Sequence, residues 1–258
     1  MNIIARDLED LDYARDLLEN PGFAAKITNL LGSPIEKGVQ LLPERWNEAV
    51  QTATRDALRK ALDVAVGTLG RRQRLASERI HKLLVAASGA AAGAVGLPAL
   101  VIELPLSTTL MLRSIADIAR SEGENVRDLG ARLACLEVFA FGGGPQQTRG
   151  SETGYFAIRL ALARSISEAA AHIAERGLAE EGAPALVRLI AMLAARFGTV
   201  VSEKAAAQAI PLLGAAGGAL VNTIFIGHFQ DMARGHFIVR RLERAYGPET
   251  VRRAYERD

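Results

Sequence analysis

The sequence predicts an all-α protein, and three observations support this prediction. Ala, Leu, Arg and Glu, which favour helices, recur along the chain, whereas aromatic residues make up only 5% of it. Several segments repeat apolar residues at the i, i+3, i+4, i+7 spacing of an amphipathic helix. No alternating apolar run is long enough to indicate a sheet. We therefore expect a multi-helix bundle.

The first 70 residues predict a helical extension that packs on the main domain, which we place at residues 71–258. The opening helix has one apolar face, which consists of Leu8, Leu11, Leu17 and Leu18. A short helix is expected over residues 23–31. Pro43 is then expected to open a long helix that ends near Leu69, because proline favours the first turn of a helix.

The main domain is expected to continue as helices on both sides of one long loop. The segment after Pro105 predicts a helix that stops at Gly123. Residues 141–154 are rich in Gly, Ser, Thr and Gln, which predicts the clearest loop of the chain. Helices are expected to begin again at Tyr155 and at Pro184, and the chain is expected to end in a short basic tail.

Two long segments, residues 83–102 and 205–230, carry no charge and are rich in glycine and alanine. A membrane-spanning helix needs about 20 apolar residues, so both segments pass by length. Pro98 divides the first segment, and Asn222 and His228 make the second more polar than lipid prefers. Glycines four apart allow two helices to approach closely. We expect two Gly/Ala-rich helical hairpins that form a central layer.

Three environments remain open for these segments: a buried soluble core, a surface-lying or re-entrant segment in a bilayer, and a true membrane span. Basic residues beside the segments support the second, because an anionic leaflet attracts each one by about 1 kcal/mol. The membrane-surface candidates are Arg71, Arg72, Arg74, Arg79, Lys82, Arg240 and Arg241. A solvated helix face is the alternative, since Glu78 and Glu243 lie among them.

Composition argues against several other classes of function. The 31 Lys and Arg against 29 Asp and Glu give a net charge of +2, which does not favour nucleic-acid binding. The single cysteine, Cys135, excludes an intramolecular disulfide, and the first 20 residues lack a signal-peptide pattern. We expect a cytoplasmic protein that is peripheral at the inner membrane. No metal, phosphate-loop or nucleophile motif is found, so we expect no cofactor and no metal and assign no catalytic residue.

Polar side chains inside apolar stretches are the candidates for a ligand site: Glu103, Arg113, Asp117, Glu137, Arg159, Asn222 and His228. A buried charge needs a partner, because an isolated one costs several kcal/mol. Arg113 and Asp117 share a helix face, and Arg113 is the partner that we expect for Glu103. The charged candidates predict either an internal salt-bridge network or a polar pocket between helices.

Three stretches resemble the EcsC family over residues 80–247: "GLPALVIELPLSTTLMLRSIADIARSEGEN", "RLACLEVFAFGG" and "IPLLGAAGGALVNTIFIGHFQDMARGHFIVRRLERAYG". The matching motif positions are Glu103, Pro105, Arg113, Pro211, Gly214, Ala215 and Asn222. The family often has Asp where Glu103 stands. The resemblance implies a bacterial, hydrophobic protein linked by its operon to an ABC transporter and, through it, to membranes. It carries over no catalytic residue.

Three functional hypotheses follow. The first is a non-enzymatic helical protein that associates with the cytoplasmic membrane surface or with a membrane transporter and binds lipid. The second is a soluble helical module that holds a small apolar ligand between its helices, with Glu103 and Arg113 near the mouth. The third is a hydrolase that uses the carboxylate and arginine cluster of Glu103, Arg113, Asp117 and Glu137.

Overall fold

The structure is a computed structural model, and it describes residues 3–19, 22–31, 44–69, 97–143, 154–178, 183–208 and 214–256. Within these ranges the chain forms α-helices and one 3-10 turn, with no strand, so the all-α prediction is confirmed. The helices are α1 (Ala5–Glu19), α2 (Phe23–Leu31), α3 (Glu44–Gly67), α4 (Leu97–Ser121), α5 (Leu129–Glu137), α6 (Tyr155–Arg176), α7 (Pro184–Gln208), α8 (Gly214–Tyr246) and α9 (Pro248–Tyr255). The 3-10 turn, Val138–Ala140, continues α5.

Several predicted helix boundaries agree with the structure. The helix α2 spans the predicted residues, and α3 begins directly after Pro43. The helices α6 and α7 begin at Tyr155 and Pro184, as expected. Gly177 follows α6 with a φ of 68°, a left-handed conformation that glycine adopts without steric cost.

The predicted boundary at the two prolines of α4 is wrong, because this helix begins at Leu97 and contains both Pro98 and Pro105. Pro98 lies in the first turn, where its missing N–H has no intrahelical partner to lose. Pro105 lies inside the helix and removes one backbone hydrogen bond. The Ser107 hydroxyl donates to the Leu104 carbonyl at 3.1 Å, and the Thr109 hydroxyl donates to the Pro105 carbonyl at 2.8 Å. The expected basic tail is also helical, as α9, and buries Val251 and Tyr255.

Contacts between helices give their directions. The helices α4 and α8 run parallel, because Asn222 contacts Glu103 near their starts and Arg240 contacts Glu124 just beyond the end of α4. The helix α7 runs the opposite way, since Lys204 near its end also contacts Glu103. We call the end that holds Glu103, Lys204 and Asn222 the upper end, and the end that holds Glu124 and Arg240 the lower end.

The core lies around α8, which packs against α1, α2, α4, α7 and α9. Four phenylalanines, Phe139, Phe197, Phe225 and Phe229, fill its centre, with ring centroids between 4.9 and 6.1 Å apart. The helix α3 packs along α4 and α7. Residues 83–96 lie outside the described ranges, so the layer of two Gly/Ala-rich hairpins stays a prediction, as does the domain boundary at residue 70.

Candidate functional site: a buried ion pair at the upper end

Glu103 and Lys204 form a buried ion pair between α4 and α7. The Lys204 Nζ lies 2.7 Å from the Glu103 Oε2, and the two side chains are 0% and 5% exposed, respectively. The Asn222 amide on α8 donates to the other Glu103 oxygen at 3.0 Å. The Lys204 ammonium also lies 4.6 Å from the ring centroid of Phe225, within cation–π range. One carboxylate therefore connects three helices.

Burial and pairing act in opposite directions on the pKa values of Glu103 and Lys204. Burial by itself would raise the pKa of Glu103, but the Lys204 charge and the hydrogen bonds from Lys204, Ser107 and Asn222 outweigh it, so the pKa lies below its usual value. Burial lowers the pKa of Lys204, and the Glu103 carboxylate opposes that effect. Breaking the pair would leave an uncompensated buried charge, which costs about 3–5 kcal/mol.

The expected pairing of Glu103 with Arg113 is wrong, since Lys204 and Asn222 hold the carboxylate. Glu103 and Arg113 lie ten residues apart on α4, which separates them by about 15 Å along the helix. Arg113 is half-buried further down α4. Asp117 forms an ion pair with Arg120, one turn later on the same helix.

Glu137 and Arg159 belong to a second cluster, so the charged candidates do not line one polar pocket, which was one of the two alternatives. The Tyr155 hydroxyl lies 2.8 Å from Nδ1 of His236, whose Nε2 lies 3.8 Å from the Glu137 carboxylate. His236 and Asn222 lie 14 residues apart on α8, which places the two clusters about 21 Å apart along that helix. Arg159 forms a bidentate ion pair with Glu243, at 2.7 and 3.0 Å.

Burial shifts the pKa values of Glu137 and His236 toward their uncharged forms. Burial raises the pKa of Glu137 to about 7, because the nearby Arg159 charge compensates only in part. Burial also lowers the pKa of His236 well below its usual value. Tyr155 and His236 are fully buried, so this cluster is a hydrogen-bonded part of the core.

His228 also serves packing. Its Nε2 lies 3.2 Å from the Gly142 carbonyl, and its ring packs beside Phe23 and Phe229. Burial and the charge of Lys26 lower its pKa to about 4, so the ring is neutral at physiological pH. A side chain at Gly142 would collide with it, because an added Cβ would lie 2.6 Å from Nε2.

The basic candidates divide between described and undescribed parts of the chain. Arg240 pairs with Glu124 at 2.7 Å, and Arg241 pairs with Asp10 and with Glu122. Both arginines therefore take part in ion pairs of the fold at the lower end. The remaining candidates, Arg71, Arg72, Arg74, Arg79 and Lys82, lie outside the described residues.

Lys204 is the site residue that the sequence analysis did not select. Its signal is the segment "SEKAAAQAI", in which a lysine precedes an uncharged alanine-rich run. Within the described ranges, one helix, Pro184–Gln208, is long and apolar enough to cross a bilayer. Half of the residues in its most apolar 18-residue stretch are buried in the fold. The core helix of a soluble protein passes the same test. The part of the chain that the structure describes contains no group of three His, Cys, Asp or Glu side chains that could hold a metal.

These features define a helical bundle with a buried Glu–Lys–Asn cluster at one end. Residues 14–242 match the model of the EcsC protein family, and the chain belongs to that family. Two of the positions that carry the sequence resemblance, Glu103 and Asn222, are hydrogen-bonded to each other. No match was found among curated proteins or among solved structures.

Proposed function

We propose that this protein is non-enzymatic and associates with the cytoplasmic surface of a membrane through the upper end of its bundle. The observation that supports this proposal most is a pair of exposed apolar side chains beside Glu103. Ile102 is 82% exposed and Leu106, one turn later on α4, is 54% exposed. Leu220 on α8, two residues before Asn222, is 43% exposed. Large apolar side chains exposed together are typical of an interaction site.

The chemistry of this end suits a lipid surface. Burying a leucine or isoleucine side chain contributes about 1.5–3 kcal/mol, so Ile102 and Leu106 alone would give measurable affinity. The charges of Glu103 and Lys204 neutralise each other below the surface, which limits the cost of bringing this end against lipid. The five basic residues between Arg71 and Lys82 precede α4 in the chain, and each would add about 1 kcal/mol on an anionic leaflet.

Vesicle flotation tests this proposal with the purified full-length chain. We expect the protein to float with phosphatidylglycerol-containing vesicles, and more weakly with pure phosphatidylcholine, because anionic lipid attracts the basic segment. The double variant Ile102→Ser/Leu106→Ser should bind at least about tenfold more weakly, since it removes most of the apolar contact. The matched control is Leu160→Ser on α6, at the lower end, where the leucine is 75% exposed.

Equal flotation of the wild type, the double variant and the control would contradict a role for the upper end. No flotation of the wild type with either lipid would contradict direct lipid binding. That second outcome would favour a membrane protein, such as a transporter, as the partner.

A further inference from the structure

We infer that the upper end contains a binding site for an uncharged acyl lipid whose head bears ester and hydroxyl oxygens, such as a monoacylglycerol. Gln208, the last residue of α7, supports this inference. Its side chain is 9% exposed, and among the residues that the structure describes neither its amide nitrogen nor its amide oxygen has a hydrogen-bond partner. Leaving buried polar atoms unpaired is destabilising, so such a side chain needs an explanation, and a ligand that completes its hydrogen bonds provides one.

Gln208 lies on the same face of α7 as the ion pair. It follows Lys204 by four residues, the spacing at which helix side chains are neighbours. Lys204 itself retains hydrogen-bonding capacity, because its ammonium offers three donors and, within the described part of the chain, makes one hydrogen bond, to Glu103. The two side chains thus provide several spare donors and one spare acceptor, the Gln208 oxygen.

This set of spare groups determines the chemistry of the ligand. Spare donors require oxygen acceptors, which the carbonyl of an ester supplies, and the Gln208 oxygen requires a donor, which a hydroxyl supplies. Glu103 and Lys204 already neutralise each other, so a charged ligand group would be a buried charge without a counter-ion. The head is therefore uncharged.

The exposed apolar residues of the upper end would contact the acyl chain of the ligand. Ile102, Leu106 and Leu220 lie within three residues of Glu103 or Asn222 in sequence and are each at least 43% exposed. An acyl chain attached to the head would cover these side chains. The inference rests on the proposed function, because both take this end of the bundle as the part that meets lipid.

The test is isothermal titration calorimetry of the full chain with monodecanoylglycerol, below its micelle concentration and without vesicles. We expect saturable binding to the wild type and at least about tenfold weaker binding of decanoate, whose head is charged. Gln208→Leu should weaken binding about tenfold, the effect of losing one buried hydrogen bond of ordinary strength. The same variant should keep or raise the melting temperature without ligand, because it removes an unpaired buried amide.

Gln230→Leu is the matched control. Gln230 is also buried, and its amide oxygen has no partner among the described residues, but its amide nitrogen donates to Ser114 at 2.7 Å. This variant therefore loses a hydrogen bond that Gln208→Leu does not lose, and it should lower the melting temperature and keep the affinity. Absence of saturable binding, equal affinity of wild type and Gln208→Leu, or a lower melting temperature of Gln208→Leu would overturn the inference. Saturable binding together with failed vesicle flotation would instead contradict the membrane proposal and leave this site intact.

Discussion

Glu103 and Glu137 are two buried carboxyl groups whose pKa values shift in opposite directions. Burial raises the pKa in both places. Glu103 has the Lys204 ammonium at 2.7 Å, which more than offsets burial. The Glu137 carboxylate lies 3.8 Å from a neutral His236 and forms no ion pair with Arg159. The Arg159 charge offsets burial only in part, so the pKa of Glu137 rises to about 7. The contact partner therefore determines the direction in which each pKa shifts.

The raised pKa of Glu137 predicts how stability depends on pH. The folded-state pKa of about 7 exceeds the usual 4.5, so the folded state binds more protons than the unfolded state between these values. This contribution to stability is complete below pH 4.5 and is lost as the pH rises to 7. Glu137→Gln mimics the protonated acid, so its stability does not include this decrease as the pH rises. We expect its free energy of unfolding, relative to wild type, to rise by about 2 kcal/mol between pH 5 and pH 8.

Denaturant unfolding of both proteins at the two pH values measures this difference. His228 and His236 titrate in both proteins and change stability in the opposite direction, so their contributions cancel in the comparison. A difference between Glu137→Gln and wild type that does not change with pH would show that Glu137 is ionised throughout.

At this scale the sequence indicated where charges need partners but not which partners they have. Glu103 stands out as an acid in the apolar stretch "LVIELP", and it is indeed buried and paired. Its cation lies 101 residues away on α7, and the pairing depends on how α4, α7 and α8 pack. Spacing along the chain favoured Arg113, which lies on the same helix. It could not indicate Lys204, because spacing carries no information about contacts between distant helices.

Among the helices, α4 shows where local rules fail. Proline predicts a helix boundary because it lacks a donor and clashes with the preceding turn. Pro105 nevertheless lies within a helix that packs along α3 and α8, and such packing contributes most of the stability of a helix in a protein. The starts of α3 and α7 were predictable because proline favours the first turn of a helix. The start of α6 at Tyr155 was predictable because the sequence before it is rich in Gly, Ser, Thr and Gln.

The contact of α1 with α8 depends on Gly235. A Cβ at this position would lie 2.7 Å from Cγ of Leu18 and 2.9 Å from the Ala14 carbonyl oxygen. Gly235→Ala must therefore push α1 away from α8, and we expect it to lower the free energy of unfolding by about 1–3 kcal/mol.

The matched control for this helix contact is Gly227→Ala on α8, where an added Cβ would have no neighbour within 4 Å. This variant should be neutral or up to about 1 kcal/mol more stable, because alanine favours a helix over glycine. Urea unfolding of the two variants measures the difference. Equal stability of both would show that α1 adapts without cost.

The whole molecule has two chemically different ends. At the upper end, Ile102, Leu106 and Leu220 are exposed, and the Glu103–Lys204 ion pair is buried. At the lower end, Arg240 and Arg244 share Glu124. The sequence analysis selected basic residues beside both uncharged segments, Arg240 among them, as membrane-surface candidates. Arg240 follows Asn222 by 18 residues on α8, which places it about 27 Å down the bundle.

The orientation of the bundle on a membrane is the central claim, and site-specific fluorescence quenching tests it most directly. The native Cys135 is fully buried, and burial raises its pKa to about 12, so it should not compete for a thiol-reactive dye. Ile102→Cys and Leu160→Cys place one label at each end of the bundle. The vesicles contain phosphatidylglycerol and a lipid with a nitroxide quencher on its acyl chain. We expect strong quenching of the label at position 102 and little at position 160; no quenching at 102, or equal quenching at both positions, would contradict the claim.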